Sequence, residues 1–74
     1  MNGTKQKRAR SGFPASAAQL DLIEDLARAL ARYPATSRYG NYANARAWRM
    51  THAQAGRAIA RMLVLLDAER ARES

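Results

Sequence analysis

Residues 16–34, SAAQLDLIEDLARALARYP, decide the fold class. Ser16 followed three residues later by Gln19 is a capping-box signature ahead of an apolar run, so a helix is predicted from about Ala17 to Arg32. At 100° per residue, Leu20, Leu22, Ile23, Leu26, Ala27, Leu30 and Tyr33 fill an arc of roughly 160°, with Asp21, Glu24, Asp25, Arg28 and Arg32 opposite. One face is core. The acids precede the arginines, as the helix dipole favours, and Glu24 with Arg28 has the favourable i,i+4 order. Pro34 disfavours helical dihedrals at Tyr33 and ends the element.

The same grammar recurs downstream. Thr51 and Gln54 form a second Ser/Thr-x-x-Gln cap, and a helix is predicted from about His52 to Ala71, with Ala55, Ala58, Ile59, Met62, Leu63, Leu65 and Leu66 as its apolar arc. Arg57, Arg61 and Arg72 flank that arc, and Val64 falls outside it. At ~1.5 Å per residue this helix is ~30 Å long and outreaches the first. Leu63, Val64 and Leu66 are therefore candidates for a self-association seam, the alternative being a frayed last turn. The expectation is an all-α fold: two antiparallel helices joined by a basic aromatic loop with a short middle helix, dimerising through the last helix.

Between the two lies PATSRYGNYANARAWRM, residues 34–50. Gly40 and Asn41 mark a turn, and Asn41 can cap a short helix through Met50. Tyr39, Tyr42 and Trp48 alternate here with Arg38, Arg46 and Arg49. Arginine forks grip phosphates bidentately and flat rings stack on unpaired bases. Tyr39 and Tyr42 read as exposed. Trp48 reads first as a cap on a small core, with ligand contact as the alternative.

The net charge of +7 is unevenly distributed: residues 1–12 carry +4 and residues 34–50 carry +3, against −1 and +1 for the two helical stretches. Met1 to Gly12 has little to bury and reads as a disordered basic arm carrying Lys5, Lys7, Arg8 and Arg10, ahead of a single helical domain over residues 13–74. A solubilising tail is the plain alternative for that arm. Cations interleaved with aromatics favour a polyanion, nucleic acid first. The expected binding set is Lys5, Lys7, Arg8, Arg10, Arg38, Tyr39, Tyr42, Arg46, Arg49, Arg57 and Arg61. The rival partner is an acidic protein surface, met by a small phage-type adaptor or inhibitor, because Tyr, Trp and Arg are also common interface anchors.

Composition narrows the remaining classes. At 74 residues there is room for one domain, near the size where a single core supplies only ~3–5 kcal/mol of net stability, so a homodimer is expected. The chain has no cysteine, which excludes disulfides and thiolate metal sites and fits a cytoplasmic setting. No run approaches the ~20 apolar residues of a membrane span, and no apolar stretch follows the basic N-terminus as in a secretory signal. His52 is the only histidine and stands at a helix start, so no metal centre or nucleophile pair is expected. Asp21, Glu24 and Asp25 serve their helix dipole, and no glycine-rich phosphate loop is present. A non-enzymatic protein without cofactor is expected.

Two resemblances add to this. Thr51 to Leu63, THAQAGRAIARML, is similar to the second helix of a helix-turn-helix DNA reader, but Met62 to Leu66 continue without the glycine-bearing turn that precedes a recognition helix. Ser16-x-x-Gln19 with Ile23 and Leu26, then Thr51-x-x-Gln54-Ala55 with Ile59 and Met62, resembles small helical modules of actinobacterial and bacteriophage accessory proteins across Ala15 to Leu66. The long aromatic connection departs from their short one. That resemblance implies an accessory protein of phage or bacterial type.

Overall fold

The computed structural model describes residues 12–73, which form three helices and no strand. Helix α1 spans Ala17–Leu30, a 3₁₀ segment spans Pro34–Trp48, and helix α2 spans His52–Glu73. The all-helical expectation holds. Lys5, Lys7, Arg8 and Arg10, with the expected disordered arm, lie outside the described residues.

Both capping boxes form. The Gln19 N–H donates to Ser16 Oγ at 3.1 Å while the Ser16 N–H donates to Gln19 Oε1 at 3.0 Å, and Thr51 with Gln54 repeats the pair at 3.1 and 3.0 Å. Each box satisfies two backbone donors that a helix start leaves without partners. The two starts are also tied together. The Ala15 N–H donates to Met50 O at 3.0 Å and the His52 N–H donates to Phe13 O at 2.6 Å, an isolated antiparallel bridge that sets Pro14 beside Thr51.

The two long helices run in the same direction, which corrects the antiparallel expectation. At their starts Gln19 Nε2 donates to His52 O at 3.3 Å, and at their far ends the Tyr33 hydroxyl donates to Glu73 Oε1 at 2.9 Å. The antiparallel partner of α1 is the middle segment. It leaves the end of α1 where Thr36 Oγ1 donates to Leu30 O at 2.8 Å and returns to the first half of α1, where Arg46 meets Glu24. Fifteen residues at a 3₁₀ rise of ~2.0 Å cover ~30 Å, ample to retrace the ~21 Å of α1. A connection long enough to cross back allows α2 to start where α1 starts.

One core joins all three elements: Ile23, Leu26, Ala27 and Leu30 from α1, Ala45 from the middle segment, and Ala55, Met62 and Leu66 from α2. Leu66 is thus core, not seam, because α2 reaches its far end still packed on α1. The Tyr33–Glu73 bond ties that end down, so the expected partnerless C-terminal stretch of α2 does not occur. Leu63 and Val64 are exposed, as is Leu22, all three turned away from the core. Glu69 is buried and paired with Arg72. Among the described residues no helix is long and apolar enough to cross a membrane.

Truncation should separate core from surface. Leu26→Ala and Met62→Ala are expected to destabilise by ~2–5 kcal/mol in urea unfolding followed by circular dichroism. Leu22→Ala and Leu63→Ala are expected to stay within ~0.5 kcal/mol of the parent. Equal losses across the four variants would contradict this core.

Candidate functional site

The middle segment has a repeat of three, because a 3₁₀ helix turns once every ~3.0 residues and eclipses positions i and i+3. Its burial follows that repeat. Ala35, Arg38, Asn41, Asn44 and Ala47 are all exposed, whereas Thr36 and Ala45 are buried and Tyr39 and Tyr42, expected to be exposed, are half-buried against the core. Gly40 and Ala43, half-buried, belong to the stripe that ends in Arg46. A Cβ on Gly40 would stand 3.2 Å from the Ala31 Cβ, so a small residue lets the chain lie close to α1 there.

Arg46 closes the packing. Its Nη1 donates to Glu24 Oε1 at 2.6 Å, its Nη2 to Asp21, and its backbone N–H to Glu24 Oε2 at 3.3 Å. Asp21 foremost, and then Glu24, hold the guanidinium above the ordinary arginine range. Expected as a phosphate clamp, Arg46 is instead a tie within the fold. Glu24, expected to pair with Arg28, is taken by Arg46, while Arg28 bonds Asp25 at 3.1 Å.

The stripe Tyr39, Tyr42, Ala45, Trp48 produces a column of rings. One 3₁₀ turn rises ~6 Å, and the Tyr39 and Tyr42 rings are stacked with centroids 5.9 Å apart and planes 21° from parallel. Trp48, two turns beyond Tyr42, would lie ~12 Å away in a straight 3₁₀ helix. The backbone breaks at Asn44 (φ −112°, ψ 38°), and Trp48 comes to 4.6 Å from Tyr42 with planes 33° apart. Trp48 is not a core cap: it is 47% exposed.

Cations border both ends of the column. The Arg38 guanidinium carbon sits 5.3 Å from the Tyr39 ring centroid, a cation–π distance. Arg61 of α2 donates from Nε to the Tyr39 hydroxyl at 3.4 Å. Arg61 foremost, and then Arg38, hold the Tyr39 phenol below the ordinary tyrosine value of 10.0. One turn before Arg61, Arg57 lines with it a shallow hollow that Ala60, Val64 and Leu65 complete. At the other end Arg49 follows Trp48 in a left-handed conformation (φ 52°, ψ 46°) and is exposed. Arg46, Arg49 and Gly12 line one cleft.

Of the expected binding residues, Arg38, Tyr39, Tyr42 and Arg61 therefore come together, with Arg57 adjoining and Arg49 at the far end. Trp48, for which a core cap is the first expectation and ligand contact the alternative, joins the two tyrosines. The repeat of three in Tyr39, Tyr42, Ala45 and Trp48 is the sequence signal that includes the tryptophan. His52 is exposed at the first turn of α2. No protein-family model, curated protein or solved structure matches this chain.

The tyrosines give a direct test of this geometry. Glu73, chiefly by accepting the Tyr33 hydrogen bond, raises the Tyr33 phenol above 10.0, opposite to the shift at Tyr39. Followed by phenolate absorbance, Tyr39 is expected to ionise before Tyr33. Tyr39→Phe should delete the early step, Arg61→Ala should move it up toward 10.0, and Tyr33→Phe should delete the late one. Because the Tyr33 value is raised on folding, its hydrogen bond stabilises below pH 10.0 and is lost as pH climbs through the raised value. A single coincident ionisation of the tyrosines would contradict the arrangement.

Proposed function

We propose that the protein is a non-enzymatic nucleic-acid binder that meets a polyanion with the arginines bordering its aromatic column. The observation that carries this reading is a partition of charge. On α1, Arg28 bonds Asp25 and Arg46 takes both Asp21 and Glu24, whereas Arg38, Arg49, Arg57 and Arg61, and at the far end of α1 Arg32, have no carboxylate partner among the described residues. The tyrosine contacts of Arg38 and Arg61 orient those guanidinium groups without neutralising them. Four orientable forks beside flat rings suit phosphates with bases between them. Lys5, Lys7, Arg8 and Arg10 add sequence-independent phosphate contacts.

The rival, an acidic protein surface, would use the same arginines. Nucleic acid is favoured by the rings, since a charged protein face offers few flat partners for stacking. We place the activity in the cytoplasm, in an accessory protein of phage or bacterial type, and we place self-association on α2, where Leu63 and Val64 are 48% and 69% exposed.

Fluorescence anisotropy with labelled DNA and RNA at two salt concentrations tests the proposal. Neutralising about six phosphates predicts a slope of log affinity against log salt of roughly −5 on duplex DNA. The double variant Arg57→Ala, Arg61→Ala should weaken binding and flatten that slope by about 2. Arg28→Ala and Arg72→Ala, whose partners are internal, should change it little. Affinity independent of salt would sink the proposal. For self-association, sedimentation should report a dimer that Val64→Glu converts to monomer; a parent already monomeric at high concentration would remove the seam.

A further inference from the structure

The identity of the unneutralised arginines leaves open whether paired or unpaired strands are preferred; the ring column bears on that choice. Tyr42 meets both other rings, stacked with Tyr39 and tilted against Trp48. At the Tyr39 end the terminal ring is covered by the Arg38 guanidinium. The Trp48 end has no such cover among the described residues, and Trp48 is half-exposed. The stacked tyrosine pair thus borders an indole, tilted 33° from Tyr42, that keeps 47% of its surface exposed and offers area for a further flat ring. Beside it stands Arg49, exposed and in the left-handed region. That conformation is disfavoured for a residue with a Cβ and is commonly filled by glycine at the end of a helix. The chain carries there an exposed arginine, next in sequence to the half-exposed tryptophan.

Resting on the nucleic-acid reading, we propose that Trp48 is a stacking platform for an unpaired base, with Arg49 holding the adjoining phosphate, so that the protein selects single-stranded over duplex nucleic acid. The physical reason is that every base has a π-face, but a base within a duplex already spends both faces on its neighbours and must be unstacked before it can use another. The shared ligand chemistry is an unpaired base on a phosphodiester strand. DNA and RNA are the two sources, and a parallel ribose arm distinguishes them.

The chain has a single tryptophan, so its fluorescence reports this site alone. The full chain is titrated with oligothymidylate, oligouridylate, an abasic oligonucleotide of equal length and a duplex, with anisotropy recorded in parallel. The expected result is Trp48 quenching that saturates with anisotropy for the base-bearing single strands and is absent for the abasic strand. Trp48→Ala should weaken single-strand binding on the order of tenfold, the usual scale for loss of one stacked base. It should leave abasic and duplex binding unchanged, and Trp48→Phe should restore most of the loss. Circular dichroism of Trp48→Ala, together with its unchanged abasic binding, separates lost stacking from lost folding. Binding that saturates without quenching, or a Trp48→Ala loss shared equally by abasic and duplex probes, overturns the platform and leaves the broader nucleic-acid reading standing. If no probe binds at low salt, that broader reading fails, and the platform with it.

Discussion

The return of the middle segment along α1 depends on Arg46. Fifteen residues of mostly small and polar side chains have little apolar surface with which to fix their own position, and only Ala45 among their apolar side chains is fully buried. Polar ties at the two ends fix it instead. Thr36 closes the end of α1 through Leu30 O, and Arg46 reaches Asp21 and Glu24 near its beginning. Glu24 is the sensitive member, with its side chain only 13% exposed, because a carboxylate held that far from water needs a cation and hydrogen-bond donors. Arg46 supplies all of these, including its own backbone N–H. The tie also fixes the direction of the fold. With the segment laid back over α1, Met50 arrives beside Ala15, and α2 has to start alongside the start of α1.

The same tie sorts the charges. Once Asp21 and Glu24 are bound to Arg46, and Asp25 to Arg28, the acids of α1 are spent within the fold. Glu69 is bound to Arg72 and Glu73 accepts from Tyr33. Of the cations left without an ion pair among the described residues, Arg38, Arg49, Arg57 and Arg61 lie on the side of the rings and Arg32 at the far end of α1. Overall net charge speaks to steering and partner class, but the internal pairings decide which cations can act outward. Arg46 shows why a count of arginines by segment is too coarse: it belongs to the most basic part of the folded sequence and contributes to packing.

The helices were legible because their punctuation is local. Ser16 with Gln19 and Thr51 with Gln54 mark both starts, and the apolar arcs named Ile23, Leu26, Leu30, Ala55 and Met62 as core. Their relative direction was not legible, since it rests on how far the connection travels, and that is a tertiary property. The connection was less legible, because a short helix capped at Asn41 does not reveal a 3₁₀ repeat that begins at Pro34. With a repeat of three, Tyr39, Tyr42, Ala45 and Trp48 form one stripe and Gly40, Ala43 and Arg46 another, which accounts for the ring column and for the close approach to α1. Glu24 illustrates a different limit. Its i,i+4 partner Arg28 was a sound local choice, yet a guanidinium brought from 22 residues away replaced it. Leu66 was misplaced for the same reason, because the length of α1 was compared with α2 as if Tyr33 offered no further support.

The exposed end of the column is where local preference and observed structure disagree. A left-handed backbone costs a residue with a Cβ roughly 1–2 kcal/mol, a sizeable share of the ~3–5 kcal/mol net that a core of this size supplies. Arg49 occupies that conformation with no ion pair among the described residues to offset it. Trp48, next to it, leaves nearly half its surface in water although the largest fully buried side chains, Ile23, Leu30 and Met62, show a core with room for few large residues. Each feature alone could be a surface accident. Consecutive in the chain, and joined through Tyr42 to the ring that Arg38 covers, they put an exposed indole and a permanent cation at neighbouring positions. Such unoffset strain is commonest where a site must be held ready for a ligand, and the chemistry that uses both features at once is a base joined to a phosphate.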